Sequence, residues 1–380
     1  MPASRGWSWL APFCFAGLAL AQYPGLTLPP SGNNQKASVT QFIGPVKVTI
    51  DYSSPAVHGP ATPAGGPAVD RRGRIWGQLV PYGLTDLGFG HHKPAPWRGG
   101  ANENTVFSVS HAVLIEGQPL PAGSYGLHFI VQPTEWTMIF SKNSGAWGSF
   151  FYEESEDALR VKVKPAAHAY REYLTYEFPN RKGDEATAEL QWEDLGVAWN
   201  IKVKDPNEIY FSTIRDQLRS NVGFSYQAWV AGCQFALQTG LHLDEALGWA
   251  DYAINGAFVG QPNFQTLSNK AQILSKLGRG DEAKPLMRQA LDHPATTPIQ
   301  IHQYGRQLLA ENKNAEALEV FQFNAKRFGE TWPTHVGLAR GYMAVGDKAK
   351  ALEHARKGLA QAPDPVNRQS LEGMIKALSN

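Results

Sequence analysis

The chain has 380 residues, with 35 Lys and Arg against 34 Asp and Glu, for a net charge of +1. That balance, with no basic tract, argues against nucleic acid and anionic membrane surfaces as partners, because both require clustered Lys and Arg. Two cysteines in all and no Cys/His run of zinc-site spacing exclude a disulfide framework and a metal-built fold. The length suits two domains, each standing on its own core.

The N-terminus reads as a secretory signal peptide over residues 1–21. Arg5 supplies a positive start, residues 10–20 are almost wholly apolar, and Ala19-Leu20-Ala21 is a small-x-small site for cleavage after Ala21. Pro12 within the run and Gln22 after it argue against a buried helix. The run is too short for a membrane anchor, and no later segment of the mature chain suits a bilayer. Cys14 follows Ala11-Pro12-Phe13, which is not a lipoprotein box, so Cys233 alone remains after cleavage. Export to the periplasm or the outside medium is therefore expected. Residues 22–40, rich in Pro, Gly, Ser, Asn and Gln, read as a flexible leader.

Residues 41–204 carry short runs of β-branched and aromatic residues at period two. These predict strands at 47–50, 74–80, 105–109, 125–131, 136–140, 159–163, 173–178, 188–192 and 198–203, divided by turns such as Glu116-Gly117-Gln118-Pro119. Many short alternating strands without intervening helices indicate an antiparallel β-sandwich or barrel-like domain. The pattern changes at Asp205-Pro206. Ile209, Phe211, Ile214, Leu218 and Val222 have helical spacing, which predicts a linker helix within 205–226.

Residues 227–380 are repetitive. Ala246, Ala283, Ala317 and Ala351 each follow a polar turn, at intervals of 37, 34 and 34 residues. A 34-residue period with small residues at fixed places is the pattern of tetratricopeptide helix-turn-helix repeats stacked as an α-solenoid. The last unit matches that family's motif at Leu338, Ala339, Tyr342, Gly346, Ala351 and Pro363, and Gly305 takes the small position in the third. The first two units match more weakly. Residues 366–378 read as the polar-faced C-terminal capping helix such arrays need.

The β segment holds an unusual series of motifs: Pro81-Tyr82-Gly83, then W-R-x-G-A-N-E at residues 97–103, then A-G-x-Y at 122–125. In this order they resemble the bacterial family known as domain of unknown function 2911, over about residues 40–204. The resemblance implies a domain boundary and a secreted setting, and no established activity. The loop at 84–95 is longer here than in the shortest forms expected.

Within these motifs Arg98 offers a planar fork for a carboxylate or phosphate, Asn102 both donor and acceptor, and Glu103 an acceptor or base. Thr105 closes the same run, and His111 is a further titratable candidate. Their convergence would hold a small polar ligand or, in an enzyme, place Glu103 as general base and Arg98 as anion anchor. The competing reading pairs Arg98 with Glu103 and gives Asn102 to the turn. His111 and His128 could approach on neighbouring strands, but the spacing shows no metal site. Trp136 and Trp147, with Trp192 and Trp199, are either a sugar-stacking platform or core. No G-x-S-x-G, H-E-x-x-H, P-loop or dinucleotide motif occurs, and no cofactor is expected. Cys233 lies on a helix position that packs inward and reads as a buried thiol. The favoured reading is an exported binding or scaffold protein whose repeat groove engages a protein or peptide. An exported enzyme and a carbohydrate-binding module are the alternatives.

Overall fold

A computed structural model describes residues 34–59 and 68–379. The signal-peptide segment and residues 22–33 of the leader lie outside the described residues. The chain divides into two compact units at Pro206/Asn207.

The first unit is an antiparallel sandwich rather than a barrel, since neither main sheet closes on itself among the described residues. One sheet has six strands: β1 (Gln35–Ile43), β2 (Val46–Ser54), β5 (Thr105–Val109), β8 (Gly123–Ile130), β9 (Trp136–Ser141) and β10 (Asp157–Val163), adjacent in that order. The other runs β11 (Pro165–Arg181), β12 (Glu185–Lys202), β6 (Val113–Ile115), β7 (Gln118–Leu120). A two-stranded ribbon, β3 (Thr85–Asp86) with β4 (Pro94–Ala95), sits inside the long 84–95 loop. Inward-facing residues from both sheets fill the space between them. Phe107, Phe129, Phe140, Trp136, Tyr176, Trp192 and Trp199 are essentially buried, and Tyr52 meets Tyr176 edge-on at 4.9 Å across the sheets.

Three expectations are revised. The leader read as ending at residue 40 yields to β1 at Gln35, because residues 35–43 pair rung by rung with β2 (Gln35 to Ser54, Ile43 to Val46). The strand expected at 74–80 is instead a tight turn. Ile75 and Val80 point into the core, but Gly77 adopts φ 83° and the Val80 N–H donates to the Ile75 carbonyl at 2.8 Å. The two strands expected at 188–192 and 198–203 form one, β12. Its buried positions switch from even (Ala188, Leu190, Trp192) to odd (Val197, Trp199, Ile201). The switch falls around Glu193, which takes φ 57° and pairs with Arg171 between two register irregularities.

Among the described residues the second unit is built of ten helices. α1 (Pro206–Leu218) is the segment read as a linker, but Phe211 and Leu218 pack with Cys233, Ala236, Ala246 and Trp249, so it opens the array. Val222 falls beyond its end and is exposed. Four antiparallel pairs follow: α2 (Tyr226–Thr239) with α3 (Leu243–Asn255), α4 (Phe264–Lys276) with α5 (Gly280–Asp292), α6 (Pro298–Ala310) with α7 (Asn314–Phe328), and α8 (Trp332–Ala344) with α9 (Lys348–Ala360). α10 (Pro365–Ser379) caps α9, burying Leu371 and Met374. The four repeat alanines are buried near the start of each second helix. Gly305 shows why the position is small: a Cβ there would overlap the Phe321 ring. The period also appears in the caps. α4, α6 and α8 each begin with a capping box, at Asn263, Thr297 and Thr331. No described helix is long and apolar enough to cross a membrane.

Candidate functional site

The W-R-x-G-A-N-E segment forms the loop between β4 and β5, and it does not bring its polar residues together. Arg98 is half-buried. Its Nη1 donates to the Asn102 carbonyl, and its guanidinium lies over the Phe150 ring at 4.9 Å from the centroid. Gly148 takes φ 65° beside it, a left-handed backbone that favours glycine. Burial lowers the Arg98 pKa, and among the described residues no carboxylate lies within ion-pair distance of it.

Asn102 serves the turn. It adopts φ 58°, and its side-chain oxygen accepts from Asn34 at 3.1 Å. Glu103 points away from Arg98. Lys36 Nζ lies 3.0 Å from one carboxylate oxygen and Ser53 Oγ donates to the other at 3.2 Å. Its own backbone N–H, then Lys36, hold its pKa below the usual carboxylate value. Neither the Arg98–Glu103 pair nor the convergence of the two on one ligand is formed. Thr105 is fully buried at the head of β5. His111 lies past the far end of that strand, its Nδ1 3.0 Å from Ser110 Oγ.

His111 and His128 do not approach, because the β5/β8 register pairs Val109 with Gly123 and Thr105 with Leu127 and so leaves them at opposite ends. His128 is instead buried with its Nδ1 2.9 Å from Ser149 Oγ, its ring edge-on to Tyr152. Burial, reinforced by the Arg98 charge, pushes its pKa down to about 3, so it is neutral at physiological pH. Tyr152 in turn donates to Asp157, which Arg160 also holds. No sequence motif marks this buried network, and residue order alone does not show it. The tryptophans do not form a platform: Trp136, Trp192 and Trp199 are core, and Trp147 alone of the four is exposed. Cys233 is buried, its thiol pushed up to about 12 by desolvation.

Of the polar residues Arg98, Asn102, Glu103, Thr105 and His111, Arg98 contributes to the wall of a cavity. That cavity, about 310 Å³, lies between the 79–87 turn and the 96–101 loop. The larger opening is in the repeat array. The second and third pairs meet through Leu291 of α5, which packs in one buried cluster with Ile301, Leu308 and Phe321, and through Arg288, whose guanidinium lies over the Phe323 ring at 4.8 Å. A cleft of about 1,000 Å³ opens there between α4, α5, α6 and α7, and it extends to α2. Gln234, Gln272 and Gln307, on α2, α4 and α6, line it, and Gln307 donates to Gln272 at 3.3 Å. Met287, Leu291, Leu308 and Val320 supply its apolar floor. An adjoining pocket of about 410 Å³ adds Gln265, Asn269, Gln300 and Gln303. Asn269 is 5% exposed, and its Oδ1 has no partner among the described residues.

Residues 34–201 match a family model described as "Protein of unknown function (DUF2911)". No curated protein matches the chain. Among solved structures the chain is similar to YrrB, a TPR protein with an unusual peptide-binding site, at 17% identity over 44% of this chain and 84% of that one, TM-score 0.28. It is similar to TTC0263, a thermophilic TPR protein in Thermus thermophilus, at 16% identity over 45% and 91%, TM-score 0.32. PilW, a type IV pilus biogenesis factor, is similar at 15% identity over 46% and 86%, TM-score 0.30. The β domain thus belongs to the DUF2911 family, and in this chain it is joined to an array of tetratricopeptide repeats.

Proposed function

We propose that this is an exported interaction protein whose repeat array holds an extended segment of a protein partner. The observation that carries this reading is the cleft between the second and third helix pairs. A solenoid buries its apolar faces by stacking neighbours. Here a cleft beside the stacked pairs combines an apolar floor with a row of amide side chains. Each amide offers a donor and an acceptor, which suits the alternating N–H and C=O groups of a peptide main chain. Export rests on the composition of residues 1–21.

The dispersal of Arg98, Glu103 and His111 weighs against the enzyme reading, which needs them in one pocket. Burial of three of the four tryptophans weighs against a sugar platform.

A displayed library of random peptides tests the array. Sequences should enrich on the full chain and be lost on a Gln272→Arg/Gln307→Arg double variant that keeps its melting temperature. Equal enrichment on both proteins would remove the cleft from the reading. Export is tested by fusing residues 1–40 to a reporter. The fusion should leave the cytoplasm, and deletion of residues 1–21 should retain it.

A further inference from the structure

We infer that the segment held by the array carries an acidic side chain, and that Arg306 and Arg340 receive its carboxylate between α6 and α8. The inference rests on the repeat-array reading and adds a charge requirement to it. Arg306 and Arg340 stand 34 residues apart, one repeat period, on the first helices of the third and fourth pairs. α6 packs against α8, which sets the two positions side by side. The approach is close: a Cβ on Gly337 would lie 3.1 Å from His302 Nδ1. Arg306 follows His302 by four residues and Arg340 follows Gly337 by three, so both arginines lie about one turn further along the same faces.

Neither arginine has a counter-charge. Among the described residues neither forms an ion pair, and the acidic residues nearest in sequence are engaged elsewhere, Glu311 with Lys313 and Asp347 with Lys350. Arg340 is partly buried, and its Nε is enclosed without an acceptor among the described residues. Its pKa is lowered, first by burial and then by the Arg306 charge. His302 feels the same pair. Burial, then Arg340 and Arg306, push its pKa down to about 4, so it is neutral at physiological pH and adds no third charge. Two like charges held close repel, and a carboxylate between them would relieve the repulsion and accept from both guanidinium forks. Partial burial makes a missing counter-charge costly and a supplied one valuable.

The surroundings favour a carboxylate carried on a chain over a free anion. Ile299, two turns before Arg306 on α6, is 54% exposed, and Met343, one turn past Arg340 on α8, is 42% exposed. A free ion would leave both uncovered, whereas the neighbouring side chains of a bound segment would bury them. The pair also adjoins the cleft, because Gln303 and Gln307, which line it and its neighbouring pocket, flank Arg306 on α6. The two surfaces divide the work. Amide side chains pair with any main chain, whereas a guanidinium fork selects an acid.

The displayed library of random peptides supplies the probes. Peptides enriched on the full chain should share an Asp or Glu at one position. In fluorescence polarisation, changing that residue to Asn or Gln should weaken binding to the full chain about tenfold or more, as expected for loss of a charge-assisted hydrogen bond. The same change should have no effect on binding to an Arg340→Gln chain. Arg340 is partly buried, so a second variant guards against a folding defect. Arg306 is exposed, and a folded Arg306→Glu chain should enrich Lys or Arg at that position instead. Enrichment without an acidic preference would overturn the inference and leave the array reading standing, whereas no enrichment at all would remove both. The inference is also overturned if Arg340→Gln weakens the acidic peptide and its amide counterpart equally, or if a folded Arg306→Glu chain keeps the acidic preference.

Discussion

The two units solve the same packing problem with opposite side chains. The sandwich must fill a gap of about 10 Å between sheets, and it does so with Trp136, Trp192, Trp199, Tyr176 and three phenylalanines. The array must bring helix axes close together, and it does so with Ala246, Ala283, Gly305, Ala317, Ala339 and Ala351. Removing volume should therefore injure the first unit, and adding volume should injure the second. The difference also bears on ligands. A sandwich packed this fully leaves a small opening at its loops, whereas the stacked helix pairs leave a much larger cleft between α4, α5, α6 and α7.

The strongest test of this contrast is within the sandwich. Trp136→Ala should cost about 3–5 kcal/mol in chemical denaturation, as for other buried aromatics, while Trp147→Ala should change stability by less than about 0.5 kcal/mol. If both variants melt alike, the assignment of one tryptophan to the core and the other to the surface fails.

A pH titration of stability follows in size. His128 is held neutral with its pKa near 3, below the value of about 6.5 for a free histidine. Between those two values the unfolded chain binds the extra proton, so stability is full above about pH 6.5 and falls as pH drops towards 3. The loss attributable to this residue is up to roughly 4 kcal/mol. His128→Gln should flatten that part of the curve, and an unchanged slope would place the sensitivity elsewhere.

In the array, Gly305→Ala adds one methyl group against Phe321. It should destabilise by about 1–3 kcal/mol, the range for overpacking, although alanine is the better helix former by up to about 1 kcal/mol. A stabilised Gly305→Ala chain would show that the helices have room to part. The smallest expected effect is at Glu103. Its pair with Lys36 is largely exposed, so Glu103→Ala should cost under about 1 kcal/mol in chemical denaturation. A much larger loss would show that Glu103 anchors its loop to β1 and β2.

Periodicity alone was enough to divide the chain. Alternation at period two and the recurrence of Ala246, Ala283, Ala317 and Ala351 reflect local geometry repeated along the backbone, which leaves a direct trace in residue order. The family motifs at 97–103 and 122–125 were legible for the same reason, being contiguous. Three features needed the folded chain. Two apparent strands form one through Glu193, because the irregular register there is defined only against β11. Arg98 and Glu103 stand five residues apart yet face different neighbours, because the left-handed turn at Asn102 separates them. The cavity and the cleft are bounded by residues far apart in sequence, Leu79 with Trp192 and Gln272 with Gln307. Local preference carries the element types, but the surfaces that could meet a ligand arise from distant segments packed side by side, or left apart.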